Sequence, residues 1–323
     1  MAEGDDASTR TVLVAVAANL LIAVAKGVAA VLTGSAALLA ETSHSVADTC
    51  TEALLYVGVR HSRRPPDERH PLGHGQARYL WSLFAAVGIF VVGGGFAIYD
   101  GVRTLRHPEP VVKVPVGVAV LLISAVLEAW SWRTAHRQLR EEPAARQLDL
   151  AAYMRVSSDP TPSTVFLEDT AALVGIALAL ASLLLESATG VLAWDGIASL
   201  LIGLTLVVVA LLLIRRNGTL LIDEAAPPEA HDRLRARLLA QPAVVDVPRL
   251  SAVYVGPSQL LVLADVVLAA DCDVAGTVDR MRRELLEVPV IAEVAVTPVP
   301  AAAAVAGPAA GPAVGPAAGN TSG

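Results

Sequence analysis

The feature that most constrains this chain is its succession of six long apolar blocks. A helix needs about 20 apolar residues to cross about 30 Å of hydrocarbon, and each block comes close to that length. Only 17% of the 323 residues are charged, whereas soluble domains contain about 25%. The sequence therefore predicts an all-α transmembrane bundle of six helices. The blocks cover residues 11–33, 37–60, 79–99, 111–132, 163–186 and 191–214.

The basic residues between the blocks predict how this bundle is oriented. Lys and Arg are concentrated in the cytoplasmic loops of membrane proteins. If the N-terminus lies inside, the inner segments hold many arginines, whereas the outer segments hold only Arg103, Arg106 and Lys113. We therefore expect both termini to be cytoplasmic. The acidic start of the chain lacks the basic segment of a signal peptide, so the first block should stay in the membrane.

After Arg216 the pattern changes from apolar blocks to alternating helical and strand-like segments. The order helix, strand, strand, helix, strand is typical of a small α+β domain with helices on one face of a sheet. The predicted helices cover 229–241 and 274–286, and the predicted strands lie near 252–255, 260–268 and 288–296. The final residues are only Ala, Val, Gly, Pro, Asn, Thr and Ser, a composition that predicts disorder. We divide the chain into a cytoplasmic tail (1–10), a transmembrane domain (11–216), a cytoplasmic domain (217–300) and a disordered tail (301–323).

Two apolar blocks carry ionisable residues where these are costly. His44 and Asp48 are four residues apart in the second block, so a helix places them on one face. Glu168 and Asp169 lie inside the fifth block, and one of the two can face the bundle core. Each ionisable group costs about 2.5–3.5 kcal/mol to insert, which favours a functional use. If the two blocks pack together, imidazole and carboxylates converge on a site suited to a divalent metal. The alternative is a polar pair that joins two helices through hydrogen bonds.

A second group lies in the loop after the second block. Asp67, His70 and His74 fall within eight residues and could fold around one metal ion, helped by the turn that Gly73 permits. Alternatively, these side chains are simply solvated. Other polar residues within the blocks are expected to be structural. Lys26 would pair with a carboxylate, Glu128 would be a buried polar residue, and Asp195 would cap its own helix.

At these residues the chain resembles the cation diffusion facilitators, a family of divalent-metal/proton exchangers. The resemblance covers about residues 11–300. It is carried by the segments Thr33–Asp48, Pro66–Gly75, Leu167–Thr170 and Asp195–Gly203. For the C-terminal domain it implies a ferredoxin-like fold that forms a homodimer.

The resemblance also implies a transport site made of two residues from helix two and two from helix five. His44, Asp48 and Asp169 match that pattern, but Val165 stands where many zinc-transporting members have His. The chain is most similar to a branch in which helix five reads Leu-Glu-Asp-Thr, so Glu168 is the expected replacement ligand. Asp67, His70 and His74 match the family's loop metal site.

The function implied by the resemblance is export of a divalent cation in exchange for protons. We expect zinc as the transported substrate, with Mn²⁺, Co²⁺ or Fe²⁺ as further candidates, in the plasma membrane of a bacterium. A passive cation channel and a non-transporting membrane metal sensor or scaffold remain open as alternatives. An intramembrane zinc protease is disfavoured because no HExxH motif is present. A net charge of −7 without a basic face argues against nucleic acid as a partner.

Overall fold

The structure is a computed structural model that describes residues 19–141, 153–154 and 157–301. The predicted N-terminal tail (1–10) and all but the first residue of the predicted disordered tail (301–323) lie outside the described residues. By its internal contacts the chain forms two compact units. One contains the residues up to Glu224 together with Val255–Pro257, and the other contains Ala225–Tyr254 and the residues from Ser258 onward.

The first unit is helical throughout its long segments, as the apolar blocks predict. Four of its helices, α3 to α6, are long and apolar enough to cross a membrane. The described part of α1 is shorter, and α2 is long but contains the polar run that includes His44 and Asp48. The number of spans therefore stays a prediction. The helices are α1 (Asn19–Thr33), α2 (Ala36–Ser62), α3 (Ala77–Arg106, with a π-helical stretch at Ile89–Gly95), α4 (Val114–Glu141), α5 (Pro160–Thr189) and α6 (Ala193–Leu221).

A carboxylate from another helix fixes the start of α2. Asp195, in the first turn of α6, is only 1% exposed and accepts hydrogen bonds from the Ser35 hydroxyl at 2.5 Å and the Ala37 N–H at 3.2 Å. It also accepts the N–H of Ala36. The expectation that Asp195 caps its own helix is therefore wrong, because its carboxylate satisfies the free N–H groups of α2 instead. These hydrogen bonds join α2, the helix that carries His44, to α6.

Small residues allow the helices of the first unit to approach one another closely. A Cβ added at Gly203 of α6 would lie 2.7 Å from Ile98 Cγ1 and 2.8 Å from the Ile98 backbone nitrogen in α3. Ala37 and Ala40 of α2 and Ala171 of α5 are similarly buried in the apolar core. Close backbone approach of this kind is typical of helices that pack within a membrane.

The second unit has the predicted order of helix, strand, strand, helix, strand. Its three strands form one sheet in the order β1-β2-β3, and β2 runs parallel to β3 with Val262 opposite Val294. Leu238, Val247 and Met281 bring helices and sheet together in one apolar core. The prediction of a helical bundle with a small α+β domain is thus confirmed. The elements are α7 (Pro228–Leu239), β1 (Val244–Gly256), β2 (Gln259–Leu268), α8 (Val274–Leu286) and β3 (Ile291–Pro298).

Two strand boundaries differ from the prediction. β1 begins at Val244, eight residues before the predicted start. Proline within a segment argues against a strand, but this strand continues through Pro248. The last strand begins at Ile291 and not at Val288, because Val288 accepts a hydrogen bond from the Ile291 N–H in a turn that follows α8.

Candidate metal sites

The structure places His44 and Asp48 on one face of α2, one turn apart. His44 Nε2 lies 3.3 Å from Asp48 Oδ1, and the His44 side chain is 1% exposed. Apart from this close contact with each other, neither ring nitrogen of His44 nor Asp48 Oδ1 forms a hydrogen bond within the described residues. If the pair only joined two helices, these atoms would be expected to form hydrogen bonds to the neighbouring helix. Buried polar atoms without partners are rare, and such atoms are available to bind a ligand.

Helix α5 presents its two carboxylates to different neighbours. Glu168 is buried, and its carboxylate accepts a hydrogen bond from the Thr51 side chain of α2 and feels the charges of Asp48 and His44. Its Oε1 atom has no hydrogen-bond partner among the described residues. Glu168 therefore lies toward the His44–Asp48 face of α2.

Asp169 points from the same turn toward α4. Its Oδ2 atom accepts a hydrogen bond from the Ser131 hydroxyl at 2.7 Å, and the charge of Asp48 also acts on it. Trp132 Nε1, the next residue of α4, donates to Thr170 Oγ1 at 3.0 Å and so fixes the register between α4 and α5. The four predicted residues thus gather in one region between α2, α4 and α5.

Two more carboxylates belong to this region and were not among the predicted ligands. Glu128 of α4 and Glu52 of α2 both act electrostatically on Asp169. Asn19 of α1 donates to Glu52 at 2.6 Å. The sequence contains a signal for Glu128, since Ser124, Glu128 and Ser131 recur at helical spacing within an apolar block. That signal does not show which helix the polar face meets, so the sequence alone predicts only a structural role for Glu128.

The loop residues Asp67, His70 and His74 form a tighter group than the helix residues. Asp67 Oδ1 lies 3.2 Å from His70 Nδ1, and Asp67 Oδ2 lies 3.5 Å from His74 Nε2. One ligand atom from each lies within 4.8 Å of the others. Gly73 makes the turn possible with a φ of 82°. Zinc commonly takes such a combination of imidazole and carboxylate ligands. Across the residues that the structure describes, no three of the four helix residues bring ligand atoms this close to one another.

The Asp67 carboxylate is held in its ionised form by the loop backbone. It accepts the N–H of His70 at 2.7 Å and the N–H of Arg69 at 2.9 Å. The hydrogen bond from the His70 N–H is the largest cause that lowers the pKa of Asp67 below its usual value, and the His70 ring adds to it. A carboxylate that stays ionised is ready to bind a cation.

The sequence of this chain is similar to a family of membrane proteins and to several named relatives. The family model described as the cation efflux transmembrane domain matches residues 12–222. The proton-coupled zinc antiporter SLC30A9 of Xenopus laevis, named as mitochondrial, is 35% identical over 257 residues, which are 80% of this chain and 46% of the relative.

Two further relatives have names that refer to metals or cations. The metal tolerance protein C4 of Arabidopsis thaliana is 35% identical over 242 residues, which are 75% of this chain and 53% of the relative. The cation-efflux pump FieF of Shewanella oneidensis is 35% identical over 114 residues, which are 35% of this chain and 38% of the relative. The chain spans about half the length of the SLC30A9 relatives. The chain therefore belongs to the cation efflux family, the cation diffusion facilitators.

Proposed function

We propose that this chain is an integral membrane transporter that exports a divalent cation, zinc first, in exchange for protons. The observation that carries the proposal is the cluster of ionisable side chains between α2 and α5: His44 and Asp48 lie 3.3 Å apart, and the charge of Asp48 acts on both Glu168 and Asp169. Ligand atoms of His44, Asp48 and Glu168 have no hydrogen-bond partner among the described residues. The names of the relatives, an antiporter and an efflux pump, describe transport and support the same class.

The mechanism follows from competition for the same side-chain atoms. A divalent cation needs the imidazole lone pair and ionised carboxylates, so its binding releases protons. When the cation leaves, carboxylates crowded together away from water take up protons, because several uncompensated negative charges in a low dielectric are costly. A bundle that opens alternately to the two sides would then move protons one way and metal the other. The open arrangement of the four helix residues fits a site that closes around the cation when it binds.

We further propose six spans with both termini in the cytoplasm of a bacterium, and a homodimer formed through the C-terminal domain. Asp67, His70 and His74 would form a second metal site in a cytoplasmic loop. Fusions of a cytoplasmic reporter and a periplasmic reporter to each terminus test the orientation. Cross-linking in the membrane tests the dimer.

The transport proposal is tested by zinc uptake into proteoliposomes under an imposed pH gradient. Asp48→Ala should abolish pH-driven uptake, because it removes a ligand from the site. Asp232→Ala is the matched control, since the Asp232 side chain on α7 is 81% exposed and lies in the other unit. Equal uptake by wild type and Asp48→Ala would refute the proposal. Uptake that ignores the pH gradient at fixed membrane potential would identify a channel. Zinc binding without any flux would identify a sensor or scaffold.

A further inference from the structure

A buried ion pair lies directly beside the proposed transport site. Lys26 Nζ of α1 is 3.0 Å from Glu41 Oε2 of α2 and donates to Ser45 Oγ at 2.8 Å. The Lys26 and Glu41 side chains are both fully buried. Lys26 therefore occupies one oxygen of Glu41. The other oxygen, Oε1, has no hydrogen-bond partner within the described residues.

That second oxygen faces the His44 ring. Glu41 Oε1 lies 3.9 Å from His44 Nδ1, whereas Asp48 Oδ1 lies 3.3 Å from Nε2 on the opposite side of the ring. A cation shared by His44 and Asp48 must use the lone pair of Nε2, which leaves the ring proton on Nδ1. A buried N–H group needs an acceptor. Glu41 Oε1 is on the correct side of the ring to be that acceptor, and at 3.9 Å the two groups must approach by about 1 Å to form the bond.

We propose that Glu41 is a positioning residue whose Oε1 accepts the Nδ1–H of His44 and so presents Nε2 to the transported cation. Lys26 holds the other oxygen of Glu41 and balances its charge. This inference rests on the proposed transport function. Metal-binding histidines usually donate their second N–H to a carboxylate, and loss of such a partner typically weakens metal binding by about 10–100-fold.

Helix α5 leaves room for the Glu41 carboxylate because Gly175 has no side chain. A Cβ placed at Gly175 would overlap Glu41 Oε1 and lie 3.1 Å from its Cδ atom. Gly175 lies two turns after Glu168 on α5. Any side chain at this position would force Oε1 out of its place beside His44. The helix that supplies a proposed ligand thus also determines where the positioning carboxylate can lie.

The test compares two double variants that differ only in the acceptor beside Nδ1. Lys26→Met with Glu41→Gln keeps a carbonyl oxygen there, whereas Lys26→Met with Glu41→Leu removes it, and both pairs are neutral. We expect the Leu pair to raise the KM for Zn²⁺ uptake by about 10–100-fold over the Gln pair, with little change in the maximal rate. Calorimetry with Zn²⁺ in detergent should give the same ratio of dissociation constants. Equal values for the two pairs would overturn the inference.

A second comparison does not depend on the double variants folding. Gly175→Ala displaces the Glu41 carboxylate without changing any charge, and it should raise the KM for Zn²⁺. Gly88→Ala on α3 is the matched control, because a Cβ there meets nothing within 4 Å. An unchanged KM in Gly175→Ala would also overturn the inference. If Asp48→Ala loses pH-driven uptake while these variants behave like their controls, only the role of Glu41 is refuted. If Asp48→Ala keeps that uptake, the transport function itself is refuted.

Discussion

Replacing Asp195 with Ala should strongly destabilise the helical unit, because it removes the acceptor at the start of α2. Three donors lose their partner: the Ser35 hydroxyl and the N–H groups of Ala36 and Ala37. The hydroxyl can turn to another acceptor, but the two N–H groups cannot. Each buried donor left unsatisfied costs about 1–3 kcal/mol, so the two cost about 2–6 kcal/mol together.

The size of this loss can be measured by thermal unfolding in detergent, followed by far-ultraviolet circular dichroism, which reports both units because both contain helices. For a unit of this size, 1 kcal/mol corresponds to about 2–4 °C in Tm. Asp195→Ala should therefore lower the Tm by at least about 4 °C. Asp195→Asn keeps one acceptor oxygen, so it should lower the Tm by less than half as much as Asp195→Ala does.

A matched control exists in the second unit. Asp273 caps α8 by accepting the N–H of Gly276 at 3.1 Å, but this bond is exposed. Water can replace the carboxylate there, so Asp273→Ala should cost no more than about 0.5–2 kcal/mol. If Asp195→Ala costs no more than Asp273→Ala, then burial does not make the α6–α2 bond strong, and the reasoning is refuted.

Two further predictions concern the helix contact and the loop. Gly203→Ala should destabilise the α3–α6 contact by about 1–3 kcal/mol, because the added Cβ meets the Ile98 backbone. Gly218→Ala on the same helix, where a Cβ meets nothing within 4 Å, should leave the Tm unchanged or slightly raised, and an equal loss in both variants would contradict this account. In the loop, the pKa of Asp67 is lowered by its hydrogen bonds. The stabilisation that the ionised carboxylate gives the loop is therefore present above the ordinary aspartate pKa, and it is lost only as the pH falls through the lowered pKa. A ¹³C NMR titration should therefore show Asp67 still ionised near pH ~4, and an inflection at or above that value would count against the backbone hydrogen bonds as the cause.

Local features of the fold were predictable because their signals lie within one element. The four-residue spacing of His44 and Asp48 predicts a shared helix face, and the structure places them 3.3 Å apart. The element order of the second unit likewise follows from short periodic segments separated by turn residues. The loop of Asp67, His70 and His74 is compact enough that sequence proximity implies spatial proximity.

Long-range contacts could not be predicted in the same way. Asp195 and the start of α2 are about 160 residues apart, and nothing in the local pattern of either segment names the other. The partner of Lys26 had several candidates in the sequence, and only the packing of α1 against α2 selects Glu41. For Glu128 the sequence predicts only a structural role, because periodicity identifies a polar face but not the helix that it meets.

The Lys26–Glu41 pair also bears on how the protein enters the bilayer during its synthesis. The described residues leave only Gly34 and Ser35 between α1 and α2, and Gly34 reverses the chain with a φ of 72°. If α1 and α2 both span the membrane, as proposed above, an α2 that arrived alone would carry Glu41, Asp48 and Glu52 into hydrocarbon without a counter-charge from α1, at a cost that its apolar residues hardly offset. The two helices should therefore leave the translocon as one hairpin, with the lysine of the first neutralising an acid of the second before either meets lipid.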